Sequence, residues 1–389
     1  MSDWRLETKD WGLEKHDPMP NSSFSGVYTR AMASNNVLYL CPMGKQHQEW
    51  RLQAAPADLN IIMRRSTETP RDEVLALIRD ADALITERTG VIDKAMIDAA
   101  PNLKLIQRLG SLYHDIDLDA ARARGVMVCT RPIRSTTAVA ENLMLQMMAV
   151  LRRAMPLQAV IHTPPEQFTM SAPLGPNDAP REVPFTPRRT NEDVFAFNWS
   201  KQTRVALLMN KTVGILGFGE IGAELARRLQ HWECRVLYSK RNALPKFIED
   251  DLQVEHREQE QLLRESDIVI CLLPYFKETD QWLNAERIAM MKPGAYLCEA
   301  GSGSVVDEQA VADAVKRGHL AGASFDTYEW EPIKQDNPLL TLADENPDMN
   351  IFLLPHIGSC NDITTSEFLE FYGNVQDGLA GRPLKGRIV

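Results

Sequence analysis

At 389 residues, with 44% hydrophobic and 25% charged side chains, the chain has a globular composition and length for about two to three domains. Its net charge of −10 argues against a broad nucleic-acid or anionic-membrane surface. The polar start, MSDWRLETKDWGLEKHD, has no signal-type apolar core and no apolar run reaches membrane length, so a soluble, cytoplasmic protein is expected. Six scattered cysteines without a C-x-x-C pair fit buried thiols in a reducing compartment rather than a disulfide framework or a metal site.

Residues 1–35 show no periodicity and read as an extension that wraps the surface or is partly mobile. From residue 36, short apolar runs predict strands at Val37–Leu40, Asn60–Met63, Ala83–Ile85, Leu103–Ile106 and Val126–Cys129. Helical stretches at Arg71–Arg79, Lys94–Ala99 and Leu118–Arg124 lie between them. Such βαβ alternation predicts a doubly wound parallel sheet, here without a glycine-rich phosphate loop. Val139–Leu151 is apolar nearly all round and should be a buried helix bridging two domains. The stretch 162–200 holds seven prolines, which disfavour helix and interior strand, so a lid, an oligomer arm or a disordered loop is expected, docked at its aromatic end by Phe195, Phe197 and Trp199.

The segment Lys211–Arg241 has the order that a dinucleotide site requires. An apolar strand (Val213, Ile215, Leu216) runs into Gly217, Gly219 and Gly222 in G-x-G-x-x-G spacing. Ile221, Leu225 and Leu229 then recur at helical spacing, and a second strand, Val236–Tyr238, follows. Gly217 permits the tight turn, Gly219 the approach of a pyrophosphate, and Gly222 close packing of helix on strand. The helix N-terminus offers unpaired N–H groups to the phosphate charge. At the end of the second strand, where NAD sites carry an acid for the ribose hydroxyls, stand Ser239, Lys240 and Arg241. Two cations neutralise a 2′-phosphate that an acid would repel, so NADP(H) is favoured over NAD(H). Further strands are expected at Ile268–Leu272, Tyr296–Cys298, Ala321–Phe325 and Ile351–Leu354, with helices near Gln259–Glu265, Ala285–Met291, Glu308–Lys316 and Thr364–Leu379.

Two stretches at strand ends supply chemistry. Parallel strands present their C-terminal ends to the ligand crevice. His356, in Leu354-Pro355-His356-Ile357-Gly358, can move the proton that accompanies hydride transfer, and Glu331, in Asp326-Thr-Tyr-Glu-Trp-Glu331-Pro332, can hold its tautomer.

With these motifs the sequence resembles the D-isomer-specific 2-hydroxyacid dehydrogenases. The resemblance rests on Gly217-Phe218-Gly219-Glu220-Ile221-Gly222, Val139-Ala-Glu141, Leu273-Pro274 with Glu278-Thr279, Asp307-Glu308, Asp326 to Pro332, and Pro355-His356-Ile-Gly358. It implies two doubly wound parallel-sheet α/β domains, a Rossmann cofactor domain (135–360, carrying the 162–200 insertion) inserted into a flavodoxin-like substrate domain (36–134 and 361–389). It also implies an NAD(P)-dependent oxidoreductase acting on CH–OH donors, with His356 as acid/base and Glu331 as its partner. Asp326 would face the nicotinamide carboxamide, beside Leu273, Pro274 and Gly358. Gly110, Ser111 and Leu112 match the loop whose N–H groups hold a substrate carboxylate. A homodimer through the cofactor domain and a small-molecule substrate are further implications, and no metal is implied.

Two departures stand out. The family's catalytic arginine falls at Ser302 and its preceding asparagine at Glu299. Serine offers one neutral hydrogen bond, with no charge and no fork. Leu112 replaces a glycine and adds apolar bulk at the substrate end. Together they predict a substrate that is not a simple small 2-keto acid, with Glu299 repelling an anion if it points inward. Arg88, Arg131 and Arg134 are candidate replacement cations at strand ends. The alternatives are a catalytically quiet NAD(P)-binding sensor that binds partners, favoured by Ser302, and a lyase or isomerase using bound nucleotide without net redox change.

Overall fold

A computed structural model describes residues 35–87, 90–164, 167–171, 182–184, 187, 189–192, 198–360 and 366–389. The expected extension 1–35, Arg88, Phe195 and Phe197 lie outside these, apart from residue 35 itself, which opens the first strand.

The first sheet contains β1 (Asn35–Cys41), β2 (Leu59–Arg65), β3 (Ala83–Thr86), β4 (Leu105–Leu109) and β5 (Met127–Arg131). All pairs are parallel, in the order β2-β1-β3-β4-β5. Between them run α1 (Lys45–Gln53), α2 (Arg71–Ile78), α3 (Lys94–Asp98) and α4 (Leu118–Arg124). Alternate residues of each strand feed two cores, as a period of two dictates. Leu38, Leu84, Ile106 and Val128 pack with α2, α3 and α4. Val37, Tyr39, Ile85, Leu105 and Cys129 face the other way.

After β5 the chain enters α5 (Arg134–Leu151) and α6 (Ala154–Ile161), passes a two-stranded antiparallel ribbon of β6 (Thr169–Ser171) and β7 (Glu182–Pro184), and reaches the second sheet. The ribbon lies in the proline-rich stretch, which disfavours interior strands only: Pro184 stands at the end of an edge strand. Phe168 and Trp199 meet edge to face, with centroids 4.9 Å apart.

The second sheet comprises β8 (Thr212–Leu216), β9 (Arg235–Ser239), β10 (Val254–His256), β11 (Ile268–Cys271), β12 (Ala295–Glu299), β13 (Leu320–Phe325) and β14 (Ile351–Leu353). Its order is β10-β9-β8-β11-β12-β13-β14, parallel throughout. The helices α7 (Glu220–Leu229), α8 (Lys246–Leu252), α9 (Gln259–Glu265), α10 (Ala285–Met290), α11 (Glu308–Lys316) and α12 (Pro338–Glu345) connect the strands. One face packs on α5, α7 and α8 and the other on α9 to α12. Order reverses between β8 and β11, and a crevice opens at such a switch point.

The last helix, α13 (Ser366–Leu379), returns to the first sheet, where Phe371, Tyr372 and Val375 join the core of β1, β3 and β4. Helix α5 lies against the second sheet, burying Ala140, Leu143, Met147 and Val150. It is not buried all round as expected, because the apolar Leu145 remains 53% exposed. No described helix is long and apolar enough to cross a membrane.

Candidate active site and dinucleotide cleft

The dinucleotide cleft forms where β8 turns into α7. Gly217 has φ +86°, and a Cβ there would lie 2.6 Å from the Leu272 carbonyl oxygen, so neither conformation nor space admits a side chain. Gly219 caps α7 with open space around it, which leaves the helix N-terminus accessible to an anion. Gly222 sits behind the turn: its missing Cβ would stand 3.0 Å from the Phe218 ring. That ring packs on Tyr238 at 4.8 Å. Both Gly217 and Phe218 donate their N–H to the Ser239 carbonyl, coupling the turn to the end of β9.

The cavity measures about 860 Å³. Gly217, Phe218, Gly219, Glu220, Ile221, Ser239, Lys240, Arg241, Leu273, Pro274 and Thr279 line it, together with residues that the sequence did not single out: Thr136, Asn242, Glu258, Gln259, Leu272, Phe276, Ala300 and Gly301. Most of these neighbour a motif residue; Thr136, from the start of α5, carries no local signal. The size, the glycine turn and the bare helix end fit a dinucleotide. Tyr238 fixes the rim beyond β9, its hydroxyl accepting from Leu244 N at 2.7 Å and donating to Glu249 at 2.9 Å. Burial pulls the Lys240 ammonium below the ordinary lysine range, against the charges of Glu220 and Asp115.

The pair expected to handle the proton, Glu331 and His356, sits just beyond the ends of β13 and β14. Glu331 Oε2 lies 2.6 Å from His356 Nδ1, and Glu331 Oε1 accepts from Tyr328 N at 3.0 Å. The carboxylate is thereby aimed by backbone and in turn orients the imidazole. Nε2 has no hydrogen-bond partner among the described residues. His356 adopts φ +54°, a conformation costly for a non-glycine residue. The following backbone holds it there: Ile357 N and Gly358 N donate to Asp326 at 2.9 and 2.7 Å. Asp326 is buried, and both oxygens serve this turn. Neither Asp326, Gly358 nor His356 lines the dinucleotide cavity.

Four expectations change. Leu112 does not add bulk to a substrate cavity; it is buried in the core shared with α5 and α7, where an apolar side chain gains most. The N–H groups of Ser111 and Leu112 are not left for a substrate carboxylate: both donate to Glu220, at 2.6 and 3.3 Å. Glu299 does not project charge at a ligand. It is fully buried, accepts from Gly301 N at 2.7 Å and bonds Thr327 Oγ1, and burial raises its pKa to about 8, so it is mostly protonated at neutral pH. Arg131 and Arg134 are both drawn to Glu370 of α13, whose one carboxylate offsets one of their two charges.

Ser302 begins the tight turn Gly303–Val305, its carbonyl accepting from Val305 N at 3.0 Å. A Cβ on Gly303 would lie 1.9 Å from the Tyr328 carbonyl carbon, so this turn presses on the segment that aims Glu331. Among the described residues no group of His, Cys, Asp and Glu could hold a metal ion.

A profile of the D-isomer specific 2-hydroxyacid dehydrogenase NAD binding domain matches residues 181–358. Glyoxylate reductase from Thermococcus kodakarensis is 36% identical over 293 residues, 75% of this chain and 78% of the relative. Glyoxylate reductases from Thermococcus onnurineus and Pyrococcus furiosus are 33% and 32% identical, over 75% and 77% of this chain and 78% and 79% of their own lengths. With two parallel α/β sheets, a glycine turn at the switch point and this breadth of identity, the chain belongs to the D-isomer-specific 2-hydroxyacid dehydrogenase family, NAD(P)-dependent oxidoreductases acting on CH–OH donors.

Proposed function

We propose that the protein is an NADP(H)-preferring reductase or dehydrogenase that interconverts a carbonyl and an alcohol, with His356 as acid/base and Glu331 as its orienting partner. The observation that carries this reading is the 2.6 Å contact between Glu331 and His356 Nδ1. It fixes the proton on Nδ1 and leaves Nε2 to give a proton to a nascent alkoxide or take one from an alcohol. The glycine turn and the N-terminus of α7 would hold the pyrophosphate, Ser239, Lys240 and Arg241 a 2′-phosphate, and Leu273 and Pro274 the wall beyond. When bound, the nicotinamide supplies or accepts the hydride.

Ser302 at the position of the family's arginine favours a substrate other than a simple small 2-keto acid. Ser302 brings no positive charge, Arg131 and Arg134 share the single carboxylate of Glu370, and the third candidate cation, Arg88, lies outside the described residues. A homodimer through the cofactor domain is supported by Leu145, Met155, Ile161, Leu207 and Met209, all exposed on α5, α6 and the segment leading into β8.

The test follows NADPH absorbance with a panel of keto acids, ketones and aldehydes. Replacing His356 with alanine should lower turnover by about 10²–10⁴ with cofactor affinity unchanged. A His356→Ala enzyme with full activity would sink the assignment.

A further inference from the structure

The segment between β13 and α12, residues 326–337, is neither helix nor strand, yet it holds Glu331 within hydrogen-bond distance of His356. A carboxylate from another element grips it. Glu308, at the start of α11, accepts from Glu329 N at 3.0 Å through Oε1 and from Asn337 Nδ2 at 2.6 Å through Oε2. The two bonds straddle Glu331 in the chain. Glu329 N follows directly on Tyr328 N, the group that aims the Glu331 carboxylate. The Tyr328 hydroxyl donates to the Leu354 carbonyl at 2.8 Å, on the strand end that carries His356. The Tyr328 backbone also rests on Gly303, in the stretch that leads into Glu308.

Helix capping does not account for Glu308. Asp307 caps α11, accepting from Ala310 N at 2.9 Å, and Asn337 Oδ1 caps α12, accepting from Leu339 N and Leu340 N at 2.9 and 3.3 Å. Glu308 and Asn337 are buried, whereas Glu331 and His356 are exposed. Burial, joined by the charges of Glu329 and Asp307, opposes ionisation of Glu308, so a carboxylate stands there against stability. Two donors nevertheless point at it, and only an acceptor on each oxygen satisfies both. We propose that Glu308 is a positioning residue for the proton transfer: its two oxygens clamp residues 329 and 337 and so fix the reach of Glu331 to His356. This rests on the proposed function, which gives that pair the proton.

The test removes the clamp and rebuilds it with other atoms. Glu308→Gln keeps the size of the side chain but offers one acceptor where two donors point. Adding Asn337→Asp turns the second donor into an acceptor for the new amide and leaves an oxygen to cap α12. Full-length proteins are compared with saturating NADPH, well below their melting temperatures, on whichever of phenylpyruvate, methyl pyruvate and methylglyoxal the wild type reduces fastest. A misplacement of about 1 Å can cost about 10²-fold, so Glu308→Gln should lower kcat by about tenfold or more while KM and NADPH affinity hardly move. The double variant Glu308→Gln/Asn337→Asp should recover most of that loss. In a Glu331→Gln background, Glu308→Gln should lower kcat by less than about twofold, because it acts through Glu331. Amide hydrogen exchange, read without substrate, should quicken about tenfold at residues 328–331 in Glu308→Gln and slow again in the double variant. Additive losses in the Glu331→Gln background, a double variant as slow as Glu308→Gln, or unchanged exchange at residues 328–331 overturns the proposal. If wild type reduces none of the three compounds, the function reading fails, and the exchange series alone decides whether Glu308 holds the Glu331 segment. Should Glu308→Gln not fold, the double variant must fold with near wild-type kcat or the proposal falls.

Discussion

Replacing Glu299 with glutamine should stabilise the protein, and increasingly so as the pH rises. Burial moves this carboxyl from an ordinary 4.5 to about 8, against the opposing pull of Thr327 and Gly301 N. Below pH 4.5 the folded and unfolded chains both hold the proton, and there is no penalty. Between 4.5 and 8 the folded protein keeps a proton that the unfolded chain has released, so stability falls with rising pH through that window, and above 8 the full cost is present. At roughly 1.4 kcal/mol per pH unit the ceiling is about 5 kcal/mol. Local relaxation and water entry reduce it to ~2–3 kcal/mol. Glutamine is neutral at every pH, and its amide can still accept from Gly301 N and donate to Thr327. With about 2–4 °C per kcal/mol for a domain of this size, the variant should melt roughly 5–10 °C above wild type near pH 9 and close to it near pH 5. Thermal unfolding of both proteins across that range is the assay. A difference that stays constant with pH, or a variant less stable at high pH, would refute the account of Glu299 as a buried neutral acid.

Three further outcomes are expected. NADPH should bind at least tenfold tighter than NADH, about 1.4 kcal/mol, and Lys240→Asp should reverse the preference; equal affinities in a fluorescence titration would contradict the role of the Lys240–Arg241 rim. Ser302→Arg should raise kcat/KM on glyoxylate and pyruvate by about 10-fold or more, whereas efficient wild-type reduction of glyoxylate, about 10⁴ M⁻¹s⁻¹ or above, would show that the charge is supplied from elsewhere. Gly303→Ala should cost about 3 kcal/mol or more and depress activity with it, because its Cβ meets Tyr328 backbone that cannot move aside cheaply; an unchanged melting temperature would show that the turn has slack.

What could be read from sequence was local. The glycine turn announces itself because strand, turn and helix are contiguous from Thr212 to Leu229. Helix α11 matches its predicted span of Glu308–Lys316 because an apolar stripe and Asp307, which caps it, both lie in the segment. Short elements such as β10 and α8 escaped, being too brief to show a period. The larger misses concern what a side chain meets across the fold. Nothing near Glu220 signals that it ends on Ser111, and nothing near Arg131 and Arg134 signals Glu370, since both partnerships are made by packing. The sign of Glu299 was also hidden: a carboxylate in a sequence reads as charge, and only burial removes it.

The return of α13 to the first sheet bears on how the chain is made. One face of β1, β3 and β4 is closed by Phe371, Tyr372 and Val375, and the outer edge of β5 is paired by the tail, with Thr130 N donating to Gly386 O and Ile388 N to Val128 O. Residues 132–365 must be synthesised in between, which takes tens of seconds at about 5–20 residues per second. Throughout that interval the nascent five-stranded sheet carries an uncovered apolar face and an open edge, the two features that invite pairing with other chains. The contiguous second sheet can close as soon as β14 emerges. The protein is therefore born second half first, and the ribosome-bound first half is where a chaperone would be needed.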